Sequence, residues 1–251
     1  ERHNRILALL QQFGSISVAQ LAERFKVSEV TIRKDLSYLE QQKKLYRTHG
    51  SAILISPYIS DRHVNEKEKR NVAEKRAIGA FAASLIAQDD SIIIASGTTV
   101  TFLAREINPA GHLTAITASV PVTQILSQCP DVDVIQLGGI TRSSSVSVVG
   151  PFAEQMLRSF NCSKLFIGVD GIDTEFGLTT TNMLEASLNG AMIDAAQKVI
   201  VLADSSKFGR RGFSKICDLE SVDRIITDSG VQSVYLDRLR ERGIEVTVVD
   251  V

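Results

Sequence analysis

The stretch Val27–Leu39, V-S-E-V-T-I-R-K-D-L-S-Y-L, decides how the N-terminal part of the chain is interpreted. Ser28 is a favourable N-cap, because its hydroxyl can accept a hydrogen bond from an amide in the first turn of the helix that follows. Apolar residues at helical spacing form one side of this helix: Val30, Leu36, Leu39 and, at the margin, Ile32. Polar residues lie largely on the other side: Glu29, Thr31, Arg33, Lys34 and Ser37. Such a face near a helix N-terminus suits the DNA major groove, and it equally suits a solvated amphipathic helix.

The preceding segments favour the first interpretation. Arg5–Phe13 has apolar residues at helical spacing before Gly14, and Val18–Phe25 predicts a second short helix capped by Ser17. A break of three residues then leads into the helix that Ser28 starts. Two short helices joined by such a turn are typical of a helix-turn-helix, in which the second helix enters the groove.

The segment Leu45–Leu54 predicts two short strands around a glycine-containing turn, which would form the wing of a winged helix. On this hairpin, Arg47 and His49 could contact the DNA backbone or the minor groove. A plain role in the turn is an equally good interpretation of His49. The predicted DNA-binding residues are therefore Ser28, Thr31, Arg33, Lys34, Arg47 and His49.

Charge and composition support a division into two parts. Residues 1–50 carry nine Lys/Arg and five Asp/Glu, whereas the net charge of the 251-residue chain is −1. A small basic module on an acidic body suits a nucleic-acid-binding head with a separate second function. No apolar run is long enough to span a bilayer, and we expect no signal peptide and no membrane partner.

Three widely spaced cysteines, Cys129, Cys162 and Cys217, favour free thiols in a reducing cytoplasm. The sequence shows no CxxC pair and no histidine at zinc spacing, so we expect neither a metal nor a cofactor.

From Glu74 onward the pattern alternates between short apolar strands and helices. This alternation predicts a doubly wound, largely parallel α/β domain. We therefore predict a winged helix over residues 1–56, a linker over 57–73 and an α/β domain over 74–251. The second half of the linker is expected to begin a helix that continues to Ile86, with the charges of Glu66–Arg70 on a solvated face.

In a doubly wound sheet, ligands bind at the carboxyl ends of the strands. The loop Ser96–Thr99 follows a predicted strand and begins a helix, so its glycine, hydroxyls and free amides could hold a phosphate. It is neither a Walker A loop nor a G-x-G-x-x-G motif, and by itself it could be an ordinary capped turn.

Further polar loops follow other predicted strands, and a ligand-binding crevice is expected to combine them with Ser96, Gly97, Thr98 and Thr99. Lys207 could act as a point charge on a phosphate or carboxylate. For each residue alone, a cap, a turn or a surface position is also a good interpretation. The remaining candidates are Gly138, Gly139, Asp170, Gly171, Asp173, Glu185, Asp204 and Lys207.

The N-terminal motifs resemble the winged helix of the DeoR family of bacterial transcriptional regulators. They are R-x-x-x-I-L-x-L-L from Arg2, V-A-Q-L-A-E-R-F-x-V-S-x-x-T-I-R-K-D-L from Val18 and L-x-R-T-H-G-S-A from Leu45. The resemblance implies DNA contacts by Thr31, Arg33 and Lys34. The family more often has arginine at the position of Lys34.

The later motifs, S-G-T-T, G-G, G-V-D-G-I-D and D-S-S-K-F-G, resemble the sensor domain of the same family. That domain is similar to ribose-5-phosphate isomerase and glucosamine-6-phosphate deaminase. In the isomerases, the S-G-T-type loop holds the phosphate, and a D-G-x-D segment plus a lysine act on the open-chain sugar. The resemblance implies these roles for Ser96–Thr99, Asp170, Asp173 and Lys207, and hence a phosphorylated sugar or polyol as effector.

The leading functional hypothesis is a repressor of a sugar or polyol operon, not an enzyme, that binds double-stranded operator DNA as a homo-oligomer, dimer or tetramer. A sugar phosphate would change its affinity for DNA in a direction that the sequence leaves open. The alternative is a sugar-phosphate isomerase or deaminase with a nucleic-acid-binding head, because carboxylates and a lysine can also move protons. A third possibility is a domain that has lost its ligand and only mediates oligomerisation.

Overall fold

The computed structural model describes residues 2–13, 15–42, 44–48, 50–54 and 63–251. The first part contains three helices and a three-stranded antiparallel sheet of order β1-β3-β2. Its elements are α1 (Arg2–Phe13), β1 (Ser15–Ser17), α2 (Val18–Phe25), α3 (Glu29–Gln41), β2 (Leu45–Thr48) and β3 (Ser51–Leu54). This arrangement is the predicted winged helix, with the strand β1 as an addition to the predicted wing.

Local chemistry explains where α2 and α3 begin. Ser17 forms a capping box with Gln20: its hydroxyl accepts from the Gln20 amide at 3.1 Å, and the Gln20 side chain accepts from the Ser17 amide at 3.0 Å. Lys26, at φ +53°, ends α2 in the left-handed region. The Ser28 hydroxyl then accepts from the Thr31 amide at 3.2 Å and caps α3, as predicted.

The prediction of the apolar side of α3 was wrong at two residues. Ile32 is completely buried, whereas Val30 is 60% exposed. The buried stripe follows Ile32, Leu36 and Leu39, at spacings of four and three residues. Val30 lies two residues before Ile32, about 200° away around the helix, and therefore points to the opposite side.

The linker also differs from the prediction of one continuous helix. Two helices are present, α4 (Val64–Glu68) and α5 (Val72–Ala83). Between them Asn71 adopts a left-handed conformation, at φ +49°, and its side-chain amide donates to Asp204 Oδ1 at 2.9 Å. Asparagine tolerates this conformation better than most residues, which explains the break.

The rest of the chain forms a parallel sheet of seven strands with helices on both faces. The remaining elements are β4 (Ser91–Ile94), α6 (Thr98–Glu106), β5 (Leu113–Thr117), α7 (Val120–Leu126), β6 (Val132–Gln136), β7 (Ile140–Arg142), β8 (Ser147–Val149), α8 (Pro151–Leu157), β9 (Lys164–Gly168), β10 (Gly171–Asp173), β11 (Gly177–Thr180), α9 (Met183–Asp194), β12 (Val199–Leu202), β13 (Ser214–Cys217), β14 (Arg224–Asp228), α10 (Ser233–Glu241) and β15 (Glu245–Val249). The strand order is β15-β14-β12-β9-β4-β5-β6, and every neighbouring pair is parallel.

Successive residues of β4 enter two different cores. Ile92 and Ile94 pack in the core that includes residues of α5, α6 and α7, whereas Ile93 packs in the core that includes residues of α8, α9 and α10. Side chains alternate across a strand, so a sheet covered on both faces needs apolar residues throughout. The doubly wound fold is thereby confirmed.

Two smaller sheets were missed by the sequence analysis. One is the hairpin β7–β8, and the other has the order β10-β11-β13. Their strands have three or four residues, too few to show an alternating pattern. Within the described ranges, no helix is long and apolar enough to cross a membrane.

The strand order defines a switch point in the sheet. From β4 the chain continues to β5 and β6 on one side, and it then returns to β9 on the other side of β4. The chain leaves β4 toward β5 on one side, and it leaves the neighbouring β9 toward β12 on the other side. Connections that leave two neighbouring strands in opposite directions open a crevice outside their carboxyl ends. This geometry brings the loop after β4 next to the loop after β9.

Candidate functional site

The outer face of α3 presents a compact group of exposed side chains. Val30, Arg33 and Lys34 are exposed, and Thr31 beside them bonds its hydroxyl to that of Ser28 at 2.9 Å. Arg33 pairs with Glu29 one turn earlier, at 2.7 Å, and both side chains are about half exposed. Such a surface pair contributes only about 0.3–0.5 kcal/mol, so Arg33 can leave it to bind DNA.

The buried side of α3 is anchored to α1. Asp35 accepts hydrogen bonds from Arg2 Nε at 2.6 Å and from Arg2 Nη2 at 2.9 Å, and His3 Nε2 lies 2.9 Å from the same carboxylate. The hydrogen bond from Arg2 lowers the pKa of the Asp35 carboxyl, and His3 adds to this effect. Arg2, one of the nine basic residues counted in residues 1–50, therefore links α1 to α3.

The wing is tied to the same helix. The Arg47 amide donates to Glu40 Oε1 at 3.0 Å, and its guanidinium donates to the Ser37 hydroxyl. The structure thus brings Arg47 to the C-terminal half of α3, on the side of Ser37. His49 lies outside the described residues.

The second candidate site is a cavity of about 70 Å³ outside the carboxyl ends of β4 and β9, which we name the strand-end cavity. Its walls come from the loops after β4, β9 and β12, from α4 and α9 and from the β7–β8 turn. Seven of the twelve predicted effector-binding residues line it: Ser96, Gly97, Thr98, Thr99, Asp170, Glu185 and Lys207.

The loop Ser96–Thr99 supplies the helix end of the cavity. Gly97 has φ +129° and ψ +166°, a backbone conformation that essentially only glycine adopts. It directly precedes α6, and no side chain in the described part of the chain caps the first turn of that helix. Free amides and the positive end of the helix dipole therefore face the cavity, as a bound anion requires.

Asp170 lies between two lysines. Lys67 Nζ is 3.0 Å and Lys207 Nζ is 4.0 Å from its Oδ1, and the Thr180 hydroxyl donates to Oδ2 at 3.1 Å. Burial raises the pKa of the Asp170 carboxyl, but the two lysines outweigh burial and keep that pKa below its usual value. Burial lowers the pKa of Lys207, and Asp170 and Asp204 offset this only in part. A cation–anion–cation row thus lines the cavity.

Glu185 supplies a second carboxylate to the cavity. It lies in the first turn of α9, which Asn182 caps by accepting from the Leu184 and Glu185 amides at 2.9 and 3.2 Å. Its carboxylate pairs with Arg142 at 3.3 Å, and Thr180 Oγ1 is 3.5 Å from its Oε2. Carboxylates held in this way can accept hydrogen bonds from the hydroxyls of a polyol.

The structure does not bring Asp173 or Asp204 to the cavity walls. Asp173 is completely buried: Arg211 donates to it at 2.8 and 3.0 Å, and the Glu175 and Phe176 amides donate at 2.9 and 2.8 Å. Asp204 is buried, caps the turn after β12 by accepting from the Ser206 amide at 3.1 Å, and accepts from Asn71. Asp173 thus accepts four hydrogen bonds from the protein, and Asp204 Oδ1 accepts three.

Three predicted glycines also lie outside the walls, Gly138, Gly139 and Gly171, and two of them have close backbone neighbours. A Cβ on Gly171 would lie 2.4 Å from the Arg210 carbonyl oxygen. A Cβ on Gly139 would lie 2.7 Å from the Val149 carbonyl oxygen, and the residue has φ +151°. These glycines permit the close approach of neighbouring backbone, and Gly138 precedes the same hairpin.

Residues that the sequence analysis missed complete the cavity: Val64, Lys67, Ser144, Ser145, Thr180 and Asn189. Lys67 was assigned to a solvated helix face, but its side chain is only 29% exposed because α4 covers the cavity. Ser144 and Ser145 lie in the β7–β8 turn, where Val146 has φ +47°. This conformation is strained for a β-branched residue. The run of three serines, Ser143–Ser145, was the one feature of the sequence that could have drawn attention to this turn.

Two family models match separate parts of the chain. A family model described as the DeoR-like helix-turn-helix domain matches residues 2–58, and one described as the DeoR C terminal sensor domain matches residues 70–229. The chain is 39% identical to YulB of Bacillus subtilis, an uncharacterised helix-turn-helix transcriptional regulator, over 99% of this chain and 96% of YulB.

Two further relatives are named as repressors. The transcriptional repressor GlcR of Bacillus subtilis is 34% identical over 100% of this chain and 96% of its own length. The lactose phosphotransferase system repressor of Streptococcus mutans is 36% identical over 91% of each chain.

Solved structures show a more distant likeness in the fold. Ribose 5-phosphate isomerase A of Methanocaldococcus jannaschii has 16% identity and a TM-score of 0.38, covering 57% of this chain and 55% of the isomerase. This likeness says nothing about activity. The two family matches, together with relatives similar along their whole length, show that the chain belongs to the DeoR family of transcriptional regulators.

Proposed function

We propose that this DeoR-family protein represses a sugar or polyol catabolic operon and that a phosphorylated sugar in the strand-end cavity changes its affinity for the operator. The observation that carries the proposal is the uncapped, glycine-led N-terminus of α6, which opens into a cavity containing Lys207 and two carboxylates. The amides would hold the phosphate. Asp170 and Glu185 would accept hydrogen bonds from sugar hydroxyls.

On the DNA side, we propose that α3 enters the major groove. Thr31, Arg33 and Lys34 would contact bases and phosphates, and the exposed Val30 could contact a thymine methyl group. Ser28 is the N-cap of α3, and the amides of the first turn that follows it would face a phosphate. Arg47 and His49 of the wing remain proposed backbone contacts.

We propose that the protein acts as a homo-oligomer in the cytoplasm. One winged helix offers few phosphate contacts, and two half-sites at a fixed spacing need two heads. An effector that binds one arrangement of the oligomer better would shift the equilibrium between arrangements. A coupling of about 1–3 kcal/mol is typical for such regulation.

The enzymatic alternative has one observation in its favour. Asp170 and Lys207 share a cavity with Glu185, and groups of these types can move protons in a sugar. Against it, the relatives that match along the whole chain are named as regulators. Turnover of a phosphorylated sugar by the pure protein would overturn the proposed repressor function.

A thermal-shift screen tests the effector. Each sugar phosphate is paired with its unphosphorylated parent, because a ligand at a hundred times its Kd adds about 2.7 kcal/mol to the free energy of unfolding. We expect one phosphorylated compound to raise the Tm and its parent to leave the Tm unchanged. The Gly97→Ala variant should lose the shift, because alanine cannot readily adopt φ +129°.

The matched control is Ser159→Ala, which removes an exposed serine outside the cavity and should respond like wild type. A shift that survives Gly97→Ala would contradict the phosphate position. A stabilising compound is next added to the protein on DNA fragments that the wild type selects from a random pool. Unchanged DNA affinity in the presence of that compound would contradict its role as effector.

A further inference from the structure

The linker helix α4 lies directly over the strand-end cavity. The Val64 amide donates to the Ser144 carbonyl at 2.7 Å, which joins the start of α4 to the β7–β8 turn. Lys67 donates to Asp170 at 3.0 Å, and Glu68 accepts from Arg105 of α6 at 2.6 Å. A helix of five residues thus contacts three separate parts of the sensor, two of which belong to the cavity walls.

The other end of α4 is fixed to the sensor domain. The Lys75 side chain, only 3% exposed, donates to the Arg70 carbonyl at 2.6 Å and to the Lys67 carbonyl. Asn71 donates to Asp204 in the loop after β12. Residues 67–71 are therefore held by buried partners, whereas α4 is the first helix after the winged helix in the described part of the chain.

Lys67 also sets the charge balance of the cavity. Among the described residues, the charged side chains that line the cavity are two cations, Lys67 and Lys207, and two anions, Asp170 and Glu185. Without Lys67 the anions would outnumber the cations. A phosphate dianion would then lose a nearby ammonium group and would meet a site of net negative charge.

We infer that Lys67 is an effector-binding residue that the linker supplies to the sensor, and that an anion in the cavity holds α4 in place. This inference rests on the proposed sugar-phosphate site and adds its regulation. The phosphate would draw the Lys67 ammonium toward itself, while Asp170 keeps that ammonium at the cavity wall. Because α4 leads to the winged helix, occupancy of the cavity would restrict the positions open to the DNA-binding head.

The test uses three variants of the full chain, Lys67→Ala, Lys67→Arg and the control Lys69→Ala. Lys69 is a lysine two residues away, exposed and outside the cavity walls. The probes are inorganic phosphate and the sugar phosphate that stabilises the wild type most in the screen above. Calorimetry gives Kd, and hydrogen exchange of residues 64–68 reports whether α4 is held. Equal Tm values of the unliganded variants and wild type establish that each variant folds.

We expect Lys67→Ala to raise the Kd of the sugar phosphate about tenfold, as for the loss of a charge-assisted hydrogen bond. Lys67→Arg should keep most of the affinity, and Lys69→Ala all of it. The probe should slow exchange in α4 of the wild type and Lys69→Ala, and should leave it unchanged in Lys67→Ala.

The outcomes separate the two proposals. If the wild type binds neither probe, both the proposed sugar-phosphate site and the inference about Lys67 are overturned. If the wild type binds and Lys67→Ala binds equally well, the inference alone is overturned. The same holds if Lys69→Ala weakens binding as much as Lys67→Ala, or if the bound probe leaves exchange in wild-type α4 unchanged.

Discussion

Asp170 and Asp173, three residues apart in one segment, have contrasting surroundings. Asp173 has no exposed surface and accepts four hydrogen bonds, two of them from Arg211. Asp170 lines a cavity and shares its charge with two lysines, at 3.0 and 4.0 Å. The two carboxylates do not differ in the number of their partners, since Thr180 and Thr181 also lie 3.1 and 3.5 Å from Asp170. They differ in access: Asp173 is enclosed by Arg211 and two backbone amides, whereas Asp170 faces the cavity that we propose as the effector site.

The largest effect is expected from testing this contrast directly. Asp173→Ala should lower the free energy of unfolding by about 3–5 kcal/mol, because it leaves the Arg211 guanidinium without its buried carboxylate. Asp170→Ala should cost less, because Lys67 and Lys207 are 29% and 21% exposed and can turn toward solvent, whereas Asp173 has no exposed surface. Urea denaturation of both variants measures the difference. Equal losses would contradict the comparison.

Lys75 extends the comparison to a buried lysine, whose side chain is only 3% exposed. Burial lowers the pKa of Lys75 to about 8 from 10.5, so the folded protein releases this proton before the unfolded chain does. Between these pH values the unfolded state binds more protons, and stability therefore rises with pH. Relative to Lys75→Met, the wild type should gain about 2–3 kcal/mol from pH 8 to 10.5 in denaturant titrations. If the difference in free energy of unfolding between the wild type and Lys75→Met does not vary with pH, the pKa of Lys75 is not lowered in the folded protein.

Arginines offer a third pair. Arg33 is exposed on α3, whereas Arg211 is bonded to a buried carboxylate. Arg33→Ala should weaken binding to selected DNA by about 1–3 kcal/mol, measured by fluorescence anisotropy, and should relax base preference. Its melting temperature should stay close to that of the wild type. Wild-type affinity for DNA would show that Arg33 has no role in recognition.

The smallest effect is expected at Glu29, the exposed partner of Arg33. Glu29→Gln should change the free energy of unfolding by no more than about 0.5 kcal/mol, because surface ion pairs contribute little. DNA affinity should rise slightly, since the change removes a negative charge and frees Arg33. A clear loss of affinity would mean that the pair orients Arg33 for binding.

The sequence predicted the winged helix and the parallel sheet because both depend on local signals. Ser17 and Ser28 are caps with neighbouring partners, and β4 is a run of apolar residues between polar turns. The error at Val30 has a local cause as well: apolar character was taken as inward orientation. The helical phase set by Ile32, Leu36 and Leu39 is the stronger guide.

The strand-end cavity could be predicted only in part. Ser96–Thr99, Asp170 and Lys207 follow strands of one parallel sheet, so topology brings them together. Lys67 arrives from the linker, and Ser144 from a hairpin too short to show a pattern. Asp173 belongs to the same D-G-I-D motif as Asp170, but its partner Arg211 lies 38 positions away in the sequence. Contacts at such separations leave no trace in local composition.

The pairing of β4 with β9 has a consequence for synthesis. The buried hydrophobic cluster of the winged helix lies between Ile6 and Ala52, whereas the cavity needs segments from α4 to Lys207. At roughly 5–20 residues per second, the ribosome needs about 10–30 s between completing β3 and adding Lys207. All residues of the hydrophobic cluster of the winged helix are thus synthesised well before the last residue of the cavity. During that interval a newly made chain has its helix-turn-helix domain and an unfinished strand-end cavity.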